Sequence, residues 1–335
     1  MDGDLVRVQG LRVGFATDAG LAQVLDGVDL AIRPGEIMGL VGESGCGKTT
    51  LARSILGILP ANAARIAAGE ILFEGQDLLR LDEGRLAGDI RGRQITYIPQ
   101  DPFNSFNPVF TIGTQIGDLM RWKSPLRAEG VSGRARRRRD RERVLELLHL
   151  VQLPNPESIL RKYPHELSGG QRQRLMIAMA LLPGPKLVIA DEPTTALDVT
   201  VQAQILTLLK SLARRSGVAV LFTTHDLGTT YEICDRITVM YAGQDVESAP
   251  VAAFFGRPSH PYTTRLLASL PTTRDAISGI PGEIPGLITP PPGCRFNPRC
   301  DRAVEECRSV RPSPTAMGAQ HLVRCYRPMQ ESRAA

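Results

Sequence analysis

The segment Gly42-Glu-Ser-Gly-Cys-Gly-Lys48-Thr49 constrains this chain more than any other. It fits G-x-x-x-x-G-K-[ST] and lies between a short apolar run, residues 36–41, and a stretch with helical spacing, residues 48–58. In that stretch Leu51, Ile55 and Ile58 share one face. A buried strand feeding a glycine-rich loop that opens a helix is the context such a motif requires. The glycines let the backbone turn its N–H groups inward toward phosphate oxygens, and the helix N-terminus adds partial positive charge. Lys48 then neutralises the β- and γ-phosphates, and the Thr49 hydroxyl can ligate Mg²⁺. Gly42, Ser44, Gly45, Cys46, Gly47, Lys48, Thr49 and Thr50 are the candidate nucleotide-binding residues, with Cys46 as a small filler.

Residues 5–13 and 24–32 alternate apolar and polar, the pattern of antiparallel strands, and 69–75 returns to it. Residues 94–98 read as a strand; from about 101 to 180 the periodicity turns helical, clearest at 142–151 and 171–182. Buried strands are expected at 187–190 and 218–224 with helical 200–213 between them, and a last strand at 236–241. Strands alternating with helices indicate an α/β fold with a mainly parallel sheet covered on both faces. Beyond about residue 247 the composition shifts: 271–298 is rich in Pro and Gly, and four cysteines crowd around and beyond its end. That reads as a separate small C-terminal module.

The 335 residues exceed one average domain, and 42% apolar residues suffice for a sizeable core. The N-terminus MDGDLVRV has no apolar signal region, and no apolar run approaches the roughly 18 residues of a membrane span. A cytoplasmic chain with reduced thiols is expected. A net charge of +5 suits an anionic ligand or surface, whereas 5% aromatic content counts against a base-stacking platform. The arginine run from Arg134 to Arg143 reads first as a solvated helix start; the alternative is a basic patch for phospholipid headgroups or RNA.

A second set of residues completes a nucleotide site. The strand at 187–190 delivers Asp191 and Glu192 at its C-terminal end, where ligands of open α/β sheets gather. Asp191 can orient the Mg²⁺ shell, and Glu192 can polarise an attacking water. Leu167-Ser-Gly-Gly-Gln171 resembles the signature motif of ATP-binding cassette (ABC) ATPases, Gln100 their Q-loop glutamine, Ala196-Leu-Asp198 their D-loop and His225 their switch histidine. Phe15 sits where that family places an aromatic that stacks on adenine. The order and spacing match over about residues 4–246. The resemblance implies a P-loop NTPase cassette with a RecA-like core, an antiparallel β subdomain and a helical subdomain at about 101–175. It further implies ATP and Mg²⁺, the ion held by Thr49 and Gln100. Ser168, Gly169, Gly170, Gln171 and Asp198 are implied to contact the partner's ATP in a head-to-tail dimer, with Lys48, Glu192 and His225 as catalytic residues.

Lys162-Tyr-Pro-His-Glu-Leu-Ser-Gly-Gly, Asp191-Glu-Pro-Thr-Thr-Ala-Leu-Asp-Val-Thr-Val-Gln202, His260-Pro-Tyr-Thr263 and Ile280-Pro-Gly-Glu-Ile-Pro-Gly286 resemble the dipeptide/oligopeptide importer ATPases of bacteria. That family implies a peripheral protein at the cytoplasmic face of the inner membrane. Its partners are two transmembrane permeases, a second and usually non-identical ATPase and, indirectly, an extracytoplasmic substrate-binding protein. Asp101-Pro-Phe-Asn-Ser-Phe-Asn-Pro108 lies where the permeases are contacted; its plainer reading is a connecting loop. Thr229-Thr-Tyr231 departs from the small aliphatic residues expected after the switch histidine. Nickel and glutathione importers share the architecture. A rival class, soluble ABC ATPases acting on nucleic acid or ribosomes, usually carries two cassettes, and this chain has one. A non-hydrolysing regulatory cassette is disfavoured by the presence of Lys48, Glu192 and His225.

Cys294, Cys300, Cys307 and Cys325 supply four thiolates within about thirty residues. Four cysteines suit tetrahedral zinc or an iron–sulfur cluster, and the absence of C-x₂-C pairs favours the larger cube. The same spacing resembles the C-terminal motif of peptide-importer ATPases, where a 4Fe–4S cluster is implied; zinc stays the alternative. His321 is an outer neighbour of that centre or an exposed loop residue. Cys234 reads as buried in a helix.

Overall fold

A computed structural model of the chain describes residues 3–127, 129–194, 198–270 and 279–329. Ala196 and Leu197 of the expected D-loop lie outside the described residues. The chain forms two compact units, one from residues 1–80 and 223–335, the other from 81–222.

The first unit opens with β1 (Val6–Thr17) and β2 (Gly20–Ile32), an antiparallel pair. β3 (Ile37–Val41) is buried at every position and leads through the glycine loop into α1 (Lys48–Leu56). β4 (Ala64–Phe73) pairs with the other edge of β1 and β5 (Gln76–Asp77) with β4, completing a four-stranded antiparallel sheet in the order β2-β1-β4-β5. The alternation in the sequence works as read: Val6, Val8, Leu11 and Val13 are buried, as are Leu25, Val28, Leu30 and Ile32. α1 ends sooner than its spacing suggests. Gly57 adopts φ 64° as its C-cap, and Ile58 is left 42% exposed.

The second unit holds β6 (Ile95–Ile98), α2 (Ile112–Lys123), α3 (Gly133–Leu150), α4 (Pro156–Arg161), α5 (Gly169–Leu181), β7 (Leu187–Asp191) and α6 (Val199–Ser216). β6 and β7 run parallel, and β8 (Ala219–Thr224) lies on the other side of β7 and leads the chain back to the first unit. α3 starts well before the amphipathic segment and takes in the whole arginine run. Arg138 pairs with Glu142 and Arg136 with Asp140, each at 3.7 Å and one turn apart, while Arg143 Nε donates to the Leu182 carbonyl at 2.8 Å. The run is a solvated helix face with local counter-charges, as its first reading has it.

Back in the first unit come α7 (Leu227–Ile233), β9 (Arg236–Tyr241), β10 (Gln244–Pro250), α8 (Val251–Gly256), α9 (Pro261–Ala268), β11 (Thr315–Gly318) and β12 (His321–Val323). β9 pairs parallel with β3; β10, β12 and β11 then add antiparallel strands outward. The sequence reading stops at β9, because β10 (QDVESAP) carries polar residues in buried positions. Glu247 is 2% exposed; its carboxylate accepts from the Ser259 N–H (2.7 Å) and the His260 N–H (2.8 Å) and bonds His321 Nε2 at 2.7 Å. Arg295 is likewise buried, donating to the carbonyls of Gln23 (2.9 Å) and Ala242 (2.5 Å). Asp245 receives Arg311 at 2.6 Å and Arg324 at 2.8 Å. Removing a partner from a polar group shut away like this costs about 1–3 kcal/mol. Glu247→Ala leaves three buried groups unpaired, and we expect it to lower stability by about 3 kcal/mol in denaturant unfolding. A loss under about 0.5 kcal/mol, the size of an ordinary surface change, would contradict this account.

Candidate active site

β3 delivers the loop at its C-terminal end, beside β9. Gly42 adopts φ 150°, and a Cβ there would run into the Met240 carbonyl oxygen, so only glycine lets the loop leave the strand in this direction. Gly47 caps α1 in a left-handed conformation with no side-chain cap, and no acidic residue stands in the first turn. No carboxylate of the first turn therefore competes for an anion at the start of α1. Lys48 is buried; its Nζ donates to the Gly42 carbonyl at 2.8 Å and the Glu43 carbonyl at 3.4 Å. Thr49 and Thr50 are half-buried in the first turn, and Ser44 and Gly45 are exposed. Burial pushes the Cys46 thiol up against the opposing pull of Lys48, which agrees with a filler rather than a nucleophile. Phe15 is half-buried on β1, opposite Ala22 of β2 and Ala64 of β4. His225 is exposed immediately after β8, and Asp226 caps α7 through the Gly228 N–H at 2.8 Å.

The second unit assembles its own set. Asp191 ends β7 at 2% exposure and accepts a hydrogen bond from the Tyr97 hydroxyl at 2.8 Å. Tyr97 has no motif to announce it; the parallel pairing of β6 with β7 brings it there. Glu192 follows in a left-handed conformation, φ 46°, a costly geometry that recurs at functional sites. Its carboxylate accepts from Gln100 Nε2 at 3.1 Å, so two residues 92 positions apart meet directly. Ser168 caps α5 reciprocally: its hydroxyl accepts from the Gln171 N–H (3.3 Å), and its own N–H donates to Gln171 Oε1 (3.1 Å). Asp198 caps α6 by accepting from the Val201 N–H at 3.0 Å. In the 101–108 loop Asp101 Oδ1 accepts from the Phe103 N–H (2.7 Å), and the half-exposed Phe103 ring carries the Arg172 guanidinium 4.5 Å from its centre. With Val109 and Phe110 also exposed, this loop presents apolar surface on an ordered turn.

Cys294, Cys300, Cys307 and Cys325 line one small pocket with His260 and Phe296, and none of the four is in a disulfide. Burial, reinforced by the neighbouring thiols, pushes Cys294 up to about 12 and Cys325 up to about 11, and raises Cys300 as well. Among the described residues no three His, Cys, Asp or Glu side chains form a group that could hold a single metal ion. The histidine at this pocket is His260; His321 is buried at the start of β12 on Glu247, neither exposed nor lining it. His260 Nδ1 accepts from the Tyr262 N–H at 3.1 Å, which puts the proton on Nε2. That Nε2 is buried and has no hydrogen-bond partner.

Residues 25–195 match the sequence profile of the family described as "ABC transporter", and residues 246–307 that of "Oligopeptide/dipeptide transporter, C-terminal region". The chain is 45% identical to a probable peptide ABC transporter ATP-binding protein, y4tR, of Sinorhizobium fredii, over 96% of this chain and 95% of that one. It is 43% identical to the dipeptide transport ATP-binding protein DppD of Bacillus subtilis, over 98% and 96% respectively. The fold is similar to that of the ATP-binding cassette MJ0796, solved as a dimer in a post-hydrolysis state bound to ADP and Pi. That likeness has a TM-score of 0.62 at 28% identity and covers 73% of this chain and 98% of the other. With relatives above 40% identity along nearly its whole length, the chain belongs to the ABC transporter ATP-binding proteins, in their oligopeptide/dipeptide branch.

Proposed function

We propose that this chain is the ATP-hydrolysing subunit of a bacterial importer of peptides or similar small solutes. One observation carries the proposal: a phosphate loop, a carboxylate-bearing strand and a Ser-Gly-Gly-Gln helix start occur in one chain with a peptide-transporter C-terminal region. The cassette comprises residues 4–246, with its helical part at about 101–175, and the C-terminal module residues 247–335. The N–H groups at the start of α1 and Lys48 hold the nucleotide phosphates, with Phe15 against adenine. Thr49 and Gln100 would hold Mg²⁺, with Asp191 orienting its shell; the ion supplies charge neutralisation at the β- and γ-phosphates. Glu192, steered by its bond from Gln100, accepts a proton from the attacking water, and His225 positions the γ-phosphate. Ser168, Gly169, Gly170, Gln171 and Asp198 face the nucleotide of a second ATPase subunit. Two ATP molecules close such a dimer, and hydrolysis reopens it, turning chemistry into motion of the permeases. The ordered apolar loop 101–110 is the surface offered to them. No helix among the described residues is long and apolar enough to cross a membrane; the subunit is held at the cytoplasmic face through its permeases.

The four cysteines form, in the same proposal, the ligands of a 4Fe–4S cluster. They line one pocket together, and the absence of C-x₂-C pairs suits the larger cube better than a single zinc ion. The unpartnered Nε2–H of His260 suits a pocket that would contain electron-rich sulfur.

Glu192→Gln should cut ATP turnover of the assembled complex at least about 100-fold while ATP binding persists; unchanged turnover would refute the assigned role. Chain isolated without oxygen should contain about four iron and about four sulfide, both lost in Cys294→Ser. Stoichiometric zinc without sulfide would replace the cluster by the alternative ion.

A further inference from the structure

Glu43, the second residue of the phosphate loop, is held by residues from the far end of the chain. The Tyr262 hydroxyl accepts from the Glu43 backbone N–H at 3.2 Å. Arg299 Nη1 donates to Glu43 Oε2 at 3.1 Å. Neither holder is loose. Tyr262 is fully buried, its ring centre 4.6 Å from that of Tyr241 and 5.3 Å from that of Phe296. Arg299 spends its other donors on the Tyr241 hydroxyl (3.1 Å), the Pro281 carbonyl (3.0 Å) and the Ile280 carbonyl (2.7 Å). Its own carbonyl accepts from Arg265 at 2.9 Å. The opposite side of Glu43 belongs to the loop itself: its carbonyl accepts from the Cys46 N–H at 3.2 Å and from Lys48 Nζ at 3.4 Å.

We infer that Tyr262 and Arg299 are positioning residues for ATP: by clamping Glu43 they hold the phosphate loop in its binding shape. A glycine-rich loop pays conformational entropy to become ordered around phosphate, and a clamp made in advance removes part of that cost. A fully buried tyrosine and an arginine with four of its five N–H donors engaged make a rigid clamp, because moving either side chain breaks several contacts at once. Arg299 immediately precedes Cys300, so the segment that carries the cysteine pocket also carries the hold on the nucleotide loop. The C-terminal module thereby sets nucleotide affinity in the cassette.

The inference rests on the phosphate loop being the ATP site, and its test separates the two. Mg-ATP binding to the full chain is titrated calorimetrically for the wild type, Tyr262→Phe, Arg299→Gln, Glu43→Gln and the Arg299→Gln/Glu43→Gln double variant. Unfolding midpoints without nucleotide are recorded alongside. Tyr262→Phe keeps the buried ring and should weaken ATP about three- to tenfold, the worth of one hydrogen bond, with little change in midpoint. Arg299→Gln should do the same, and the double variant should be no weaker than Arg299→Gln alone, since both act on one contact. In the assembled complex KM for ATP should rise while kcat holds. Wild-type affinity in both Tyr262→Phe and Arg299→Gln, or additive losses in the double variant, would overturn the inference. A wild-type chain that fails to bind ATP would overturn the nucleotide reading beneath it.

Discussion

The chemistry of this protein hangs on one close approach: Gly42 leaves β3 against the Met240 carbonyl of β9, where any side chain would collide. The buried strand pair fixes where the loop starts, and the left-handed Gly47 fixes where α1 begins. Between these two points the backbone has only to present N–H groups and Lys48. Binding a polyanion then needs no bespoke side-chain pocket, because aligned peptide dipoles and one ammonium supply the field. The parallel strands matter chiefly as a rigid frame for this turn.

Buried polar contacts bind the C-terminal region to that frame alongside the aromatic cluster of Tyr241, Tyr262 and Phe296. Glu247, Arg295, Asp245 and Arg299 each hydrogen-bond residues well separated in sequence, while Nε of Arg295 is left without a partner. Such groups contribute modest net stability but impose strict geometry, since each misplaced partner leaves a buried charge or N–H unpaired. That strictness suits a module whose cysteines must converge on one pocket and whose Tyr262 and Arg299 reach the nucleotide loop.

Motif and periodicity made much of the site legible. The glycine loop, the Asp191-Glu192 strand end, the Ser-Gly-Gly-Gln helix start and the antiparallel pair β1–β2 all appear where their patterns put them, each being a local property of a few consecutive residues. Tyr97 on Asp191 and Tyr262 on Glu43 had no such signal, because a tyrosine hydroxyl reaching a partner across the fold leaves no spacing to read. β10 escaped for a related reason: its buried Glu247 looks solvent-facing until the partners that neutralise it are known. His321 is close to the cysteines in sequence, yet His260 lines their pocket, since proximity in sequence is a poor guide within a module stitched by long-range bonds.

By itself the sequence determined the reaction class and the order of elements, because a phosphate loop and its carboxylates are short segments whose chemistry is complete in their own residues. The tertiary structure alone decided which side chains hold those segments in place. Gln100 on Glu192, Tyr97 on Asp191, and Tyr262 with Arg299 on Glu43 are pairings between distant segments. They exist only because strand pairing and side-chain packing bring segments far apart in sequence within hydrogen-bond reach, which no local pattern of residues specifies.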